Sequence, residues 1–170
     1  GMGKTTLAKV VYEKLLNYYE GSCFLADIRE VSGKRGIIHL QGILLSKVLE
    51  ETNLNICDDH EGINLIKRWL HRKRVLIVLD DVDDQLEQLE KLAGNHNWFG
   101  PGSRIIITTR NKHVLISHGN SNIYKVEQLN NDEALELFHL KAFKHKQPTN
   151  DHAIFIKSVV YYTNGLPLAL

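Results

Sequence analysis

Two short segments carry residues whose types and spacing suit phosphate and metal chemistry. The first is Gly1-Met2-Gly3-Lys4-Thr5-Thr6 at the start of the chain, and the second is Asp80-Asp81 after the apolar run at 75–79. In the first segment, glycine lets backbone N–H groups approach phosphate oxygens, lysine supplies a positive charge for the β- and γ-phosphates, and the threonine hydroxyl reaches Mg²⁺. Together the segments predict a binding site for ATP or GTP.

The phosphate-binding motif is incomplete in this chain. Its full form is G-x-x-x-x-G-K-[ST], whereas only Gly1 and Met2 stand before Gly3. The apolar strand that normally leads into such a loop is also missing. We therefore expect the chain to be a segment of a longer protein.

Three further positions are candidate functional residues at the ends of predicted strands. Asp80 is expected to hold Mg²⁺ together with Thr5, since its carboxylate emerges at the carboxyl end of a buried strand. Asp81 could polarise an attacking water, or it could hydrogen-bond to magnesium ligands without contacting the ion itself. Alternatively, it simply begins a loop. Arg110 follows the next strand, where it would contact the γ-phosphate and distinguish ATP from ADP, or be an ordinary surface arginine.

Composition limits the classes of protein and partner. The 170 residues, 43% of them hydrophobic, suffice for one α/β domain with part of a second. A formal net charge of +1 provides no field that would recruit nucleic acid, and no apolar stretch is long enough to span a membrane. Cys23 and Cys57 are too far apart for a zinc ligand pair, which favours a reducing, cytoplasmic location, with the nucleus as an option.

Strands alternate with helices along most of the chain, which predicts a parallel sheet with its ligand at the carboxyl ends of the strands. After residue 130 the pattern becomes helical only. We predict a nucleotide-binding domain at 1–129 and the start of a helical subdomain at 130–170, whose first helix is capped by Asn130 or Asn131. The predicted strands are 22–27, 75–79, 103–109 and 123–126; the predicted helices are 5–18, 37–51, 62–71, 84–92, 111–117, one from 131, and 154–162.

The order of these motifs resembles the NB-ARC nucleotide-binding module of plant disease-resistance proteins, the intracellular immune receptors with leucine-rich repeats. The matching segments are GMGKTTLA at 1–8, KRVLIVLDDVD at 73–83, GSRIIITTR at 102–110 and GLPLAL at 165–170. FLADIREVS at 24–32, and Asp83 where the other major subclass usually has tryptophan, resemble the subclass with an N-terminal TIR domain.

The resemblance implies a fold, ligands and partners. The fold would be a P-loop NTPase three-layer sandwich with a parallel sheet, its P-loop strand missing here, followed by an ARC-type helical subdomain. The function would be that of a switch, ADP-bound at rest and ATP-bound and oligomeric when active, with slow hydrolysis as reset. Pro167 would lie near the adenine. The partners would be the nucleotide, Mg²⁺, TIR and leucine-rich-repeat domains of the full-length protein, and further copies of itself.

Two alternatives to a switch stay open. An active P-loop ATPase or small-molecule kinase would turn over rapidly, but a kinase needs a lid rich in arginine, and no arginine follows Arg110. A degenerate scaffold would not bind nucleotide, although Lys4, Thr5, Asp80 and Arg110 are all intact.

Overall fold

The structure divides into two units. The computed structural model describes residues 2–51, 54–84, 86–119, 122–143 and 152–169, with backbone alone at 143, 152–155 and 157. One unit is Thr5–Ile123, and the other combines Gly1–Lys4 with Tyr124–Leu170. The division into domains at 1–129 and 130–170 stays a prediction.

A three-stranded parallel sheet lies at the centre of the larger unit. Its strands are β1 (Gly21–Leu25), β2 (Val75–Val82) and β3 (Arg104–Thr109), in the order β1-β2-β3. The middle strand is fully buried from Val75 to Leu79, since neighbours cover it on both edges and both faces. This burial accounts for its uninterrupted apolar sequence. The predicted parallel α/β arrangement is confirmed for these strands.

Helices cover the two faces of the sheet differently. The helices of this part of the chain are α1 (Lys4–Leu15), α2 (Ile28–Arg35), α3 (Ile37–Leu49), α4 (Asp59–Leu70), α5 (Leu86–Ala93) and α6 (Lys112–Ser117), with 3₁₀ turns at Leu16–Tyr18 and His96–Trp98. Ile77 and Leu79 join a core cluster with residues of α3, α4 and α5. On the opposite face, Tyr12 of α1 donates a hydrogen bond to Ser22 Oγ at 3.1 Å and packs edge-to-face on Phe24. A three-layer arrangement results.

Two observed helices, α2 and α4, differ from the predictions. Helix α2 was not predicted, because Ile28 is its one fully buried residue and its sequence lacks a helical apolar period. Helix α4 begins at Asp59 instead of residue 62, since the side chain of Asp58 caps it by accepting a hydrogen bond from the Glu61 N–H at 2.8 Å. Among the described residues, no helix combines the length and the apolar character needed to cross a bilayer.

The predicted strand at 123–126 is wrong. These residues form no ladder with β1, β2 or β3. A strand exists only where a neighbour completes its hydrogen bonds, and the neighbour implied by the resemblance, the strand before the phosphate loop, is not among the 170 residues. Consistent with this, Leu7 and Val10 of α1 are each 43% exposed, whereas Ala8 is buried.

The smaller unit contains a helix pair. Helices α7 (Asn131–Phe143) and α8 (His152–Thr163) bury Ala134, Ile156 and Val160 between them. Asn130 caps α7 in a reciprocal box: its Oδ1 accepts from the Glu133 N–H at 2.9 Å, and Glu133 Oε2 accepts from the Asn130 N–H at 2.9 Å. The prediction that Asn130 or Asn131 caps this helix is confirmed, with Asn130 as the cap.

Candidate nucleotide-binding site

A glycine turn leads directly into the first helix. Gly3 has φ +80, a conformation that glycine adopts without the steric penalty other residues incur, and α1 starts at Lys4. The first N–H groups of a helix lack intrahelical acceptors and carry the positive end of its dipole, which suits phosphate oxygens. The first turn of α1 contains no acidic residue that would compete for these groups. Lys4 is partly buried and Thr6 exposed; Gly1 lies outside the described residues.

Asp80 lies at the centre of a small hydroxyl network. Its side chain is fully buried on the α1 face of β2. Thr5 Oγ1 lies 2.9 Å from Asp80 Oδ1 and 3.0 Å from Oδ2, and Thr108 Oγ1 of β3 donates to Oδ1 at 2.7 Å. Residues 75 positions apart in sequence therefore meet as predicted, with Thr108 as an additional member.

The donor set around Asp80 fits Mg²⁺. Within the described part of the chain, the hydrogen bonds to this buried carboxylate come from two hydroxyls, and no ammonium or guanidinium group pairs with it. A buried charge without a counter-charge is costly, so a cation at this position would compensate it. No group of three or more His, Cys, Asp or Glu side chains could form a metal cage among the described residues. One carboxylate and one hydroxyl match Mg²⁺, which keeps waters and binds phosphate besides a few protein ligands.

The end of β2 differs from the prediction that Asp80 terminates the strand. Strand β2 continues to Val82, and its pairing with β3 shifts register between Leu79 and Val82. Asp81 is the residue in the left-handed conformation there, with φ 51, and its N–H donates to Thr108 Oγ1 at 2.9 Å. Such a bulge bends the strand and redirects a side chain. The two consecutive aspartates therefore have separate surroundings.

Asp81 contacts two arginines. Its Oδ1 lies 3.1 Å from Nε of Arg110, and its Oδ2 lies 3.2 Å from Nη2 of Arg29. Arg110 follows β3 and Arg29 lies in the first turn of α2, so both guanidinium groups reach the carboxylate from the ends of neighbouring strands. The structure thus brings the two predicted residues Asp81 and Arg110 together as an ion pair.

Arg29 was missed as a candidate functional residue. The segment around it, 24–32, carries the resemblance to the TIR subclass and predicts no chemistry for this arginine. A signal was nevertheless present, because Arg29 follows β1 as Arg110 follows β3, and the carboxyl ends of parallel strands share one edge of the sheet. The sequence likewise gives Thr108 no predicted role beyond its place in the strand at 103–109.

In the smaller unit, Pro167 lies beside the glycine turn. A Cβ atom built on Gly3 would be 3.9 Å from Pro167 Cγ, an ordinary contact distance. Position 165, which begins the GLPLAL segment, requires glycine. Gly165 has φ +69, and a Cβ there would lie 2.1 Å from the carbonyl oxygen of Leu129. The Leu129 N–H donates to Gly165 O at 2.9 Å. This close backbone approach orients the segment that carries Pro167.

Comparisons with known proteins identify the family of this chain. The NB-ARC domain family matches residues 1–148. The whole chain is 50% identical to disease resistance protein RPV1 and 48% identical to disease resistance protein RUN1, both of Vitis rotundifolia, and spans 12% and 13% of their lengths. It is 43% identical to TMV resistance protein N of Nicotiana glutinosa, of which it spans 15%. With the P-loop residues, the buried Asp80 and this match over most of its length, the chain belongs to the NB-ARC domain family.

Proposed function

We propose that this chain is the ADP- and ATP-binding switch module of a plant immune receptor of the TIR, nucleotide-binding and leucine-rich-repeat type. The observation that carries the proposal is the convergence of Thr5 and Thr108 on the buried carboxylate of Asp80, directly after the glycine turn. Membership in the NB-ARC family and similarity to disease-resistance proteins support the biological role. The TIR and leucine-rich-repeat partners, oligomerisation on activation and the intracellular location, cytoplasmic with the nucleus as an option, are parts of this proposal.

Each residue has a proposed role toward the nucleotide. Gly3 and the N–H groups of Lys4, Thr5 and Thr6 would surround the phosphates, with Gly1 completing the turn and the Lys4 ammonium neutralising their charge. Thr5 and Asp80 would hold Mg²⁺, which neutralises phosphate charge as it develops. Pro167 would contact the adenine.

Arg110 and Asp81 form the proposed sensor. In this structure Arg110 is paired with Asp81, and its side chain is 67% exposed, which leaves it free to turn toward a γ-phosphate. Asp81 could then polarise water, because one of its oxygens would have lost its partner. Since the Asp81 carboxylate is engaged by two arginines beforehand, slow turnover is expected.

One sensor contact is not enough for a complete switch. A charge-assisted hydrogen bond contributes about 1.5–3 kcal/mol. Moving a two-state protein from about 1% to about 99% active requires roughly 5.5 kcal/mol of differential affinity. Arg110 alone would therefore supply at most about half, and other groups must also distinguish ATP from ADP.

Nucleotide titration tests the proposal. Fluorescent ADP and ATP, with Mg²⁺, are titrated into the full-length protein that contains this chain and into its Lys4→Ala variant. Loss of one charge-assisted contact should weaken binding by about tenfold to a hundredfold. Lys9→Ala is the matched control, since Lys9 is an exposed lysine of the same helix.

The same samples separate the alternatives. Turnover well below about one per second, the lower end of typical enzymes, supports a switch over an ATPase or kinase. Fast turnover would instead identify an enzyme. A folded wild-type protein that binds neither nucleotide would refute the proposal and leave the scaffold interpretation.

A further inference from the structure

We propose that Arg29 is a positioning residue, which keeps the Asp81 carboxylate in place and charge-compensated while Arg110 moves to a nucleotide phosphate. The inference rests on the proposed function and adds a residue to its sensor. Its basis is that one carboxylate receives two guanidinium groups on different oxygens: Arg110 on Oδ1 at 3.1 Å and Arg29 on Oδ2 at 3.2 Å. Because they use separate oxygens, Arg110 can leave without displacing Arg29.

The backbone around Arg29 is well anchored. Its neighbour Ile28 is fully buried in the main core cluster. Asp27 adopts the left-handed conformation, with φ 51, and its carbonyl accepts a hydrogen bond from the Val31 N–H at 2.9 Å. This arrangement fixes the start of α2. Arg29 therefore extends toward Asp81 from a rigid base.

The two arginines differ in their exposure. The Arg29 side chain is 43% exposed and the Arg110 side chain 67%, whereas the carboxylate between them is 22% exposed. The more exposed arginine follows β3 directly, on the strand that also supplies Thr108 to Asp80. Its larger exposed fraction leaves Arg110 more room to move than Arg29, so Arg110 is the partner assigned to leave.

Asp81 cannot follow Arg110 when it moves. Its left-handed backbone lies in the bulge of β2, and its N–H is bonded to Thr108 Oγ1 at 2.9 Å. Without Arg29, the fixed negative charge would have only Arg110 as an ion-pair partner among the described residues and would attract it more strongly. Arg110 would then be less available to a γ-phosphate. Arg29 consequently favours ATP over ADP without touching either nucleotide.

The experiment is a double-mutant cycle on the full-length protein. Fluorescent ADP and ATP, with Mg²⁺, are titrated into wild type, Arg29→Gln, Asp81→Asn and the double variant, and the ratio of the ADP to the ATP dissociation constant is compared. Removing one partly exposed ion pair should lower this ratio by about two- to fivefold in Arg29→Gln, with ADP affinity unchanged. In the Asp81→Asn background, Arg29→Gln should have no further effect, because the shared carboxylate charge is gone.

A matched control removes the same charge from the same helix. Arg35 ends α2, and its Nη1 lies 3.4 Å from His39 Nε2, so Arg35→Gln should retain the wild-type ratio. The inference is overturned if Arg29→Gln leaves the ratio of dissociation constants unchanged, or if it abolishes ADP binding. It is also overturned if Arg29→Gln lowers the ratio equally with and without Asp81, or if Arg35→Gln lowers it as much as Arg29→Gln. If the wild-type protein discriminates ATP from ADP and Arg29→Gln does so equally, the role of Arg29 is refuted but the proposed function is not. A wild-type protein that binds neither nucleotide refutes this inference and the proposed function together.

Discussion

The replacement of Thr108 by valine is a sharp test of the network around Asp80. Thr108 Oγ1 donates to Asp80 Oδ1 at 2.7 Å and accepts from the Asp81 N–H at 2.9 Å. Valine has the same shape as threonine but neither a donor nor an acceptor. The substitution therefore removes one hydrogen bond to a buried carboxylate and leaves a backbone N–H without its acceptor.

The neighbouring threonine provides a matched control. Thr108 and Thr109 are each 9% exposed at the end of β3. Thr109 Oγ1 donates to the Val82 carbonyl at 2.9 Å and accepts from the Asn111 N–H at 3.2 Å. Its partners are neutral backbone groups. Thr109→Val thus makes the same chemical change at the same burial, without a charge.

The expected magnitudes follow from these partners. A hydrogen bond to a charged group contributes about 1.5–3 kcal/mol, and an orphaned buried N–H costs about 1–3 kcal/mol. Thr109→Val likewise removes the acceptor of one backbone N–H, that of Asn111, but the hydrogen bond that it loses is to a neutral carbonyl and contributes about 0.5–1.5 kcal/mol. We expect Thr108→Val to destabilise the strand ends by about 3 kcal/mol and Thr109→Val by about 2 kcal/mol. The difference of about 1 kcal/mol corresponds to roughly fivefold in a local opening equilibrium.

Hydrogen–deuterium exchange of the full-length protein measures this difference. Peptides covering the ends of β2 and β3 are compared between the two variants, since local opening of these strands controls exchange of their amides. Thr108→Val should lose more protection than Thr109→Val by roughly fivefold. Equal losses in both variants would refute the reasoning, because they would show that the buried charge of Asp80 does not depend on Thr108.

Two further predictions concern positions outside this network. Gly165→Ala should destabilise the GLPLAL turn by at least about 1–2 kcal/mol, which is the cost of placing an L-residue in the left-handed conformation. The new Cβ would also lie 2.1 Å from Leu129 O, which adds a steric clash. Faster exchange of the Leu129 amide would reveal this loss, and unchanged exchange would contradict it. Among the thiols, Cys57 is exposed and the Glu61 carboxylate raises its pKa, whereas burial raises the pKa of Cys23 to about 12. Near pH 8, iodoacetamide should therefore label Cys57 well before Cys23, and Glu61→Gln should accelerate labelling of Cys57 in peptide mapping by mass spectrometry. An unaltered rate in that variant would exclude the Glu61 charge as the cause.

Local sequence predicted the elements whose signal lies within one segment. The apolar run from Val75 to Leu79 predicted a buried parallel strand, because only a strand covered on both faces tolerates such a run. The Asn130 cap and the start of α1 were likewise readable, since caps depend on a few consecutive residues. Helix α2 was not predicted because polar residues dominate it and its single fully buried residue, Ile28, sets no period.

By themselves, the types and order of residues predicted P-loop chemistry, from Gly3, Lys4 and Thr5 at the start of a helix and Asp80 after a buried strand. Only the tertiary structure decided the surroundings of the second aspartate. The bulge that turns Asp81 toward Arg29 and Arg110 arises from the shift in pairing between β2 and β3, and these two partners come from two other segments far from Asp81 in the chain. Sequence spacing reports which residues share one helix or strand, whereas contacts between elements depend on strand register and packing, which are established only when the whole sheet has formed.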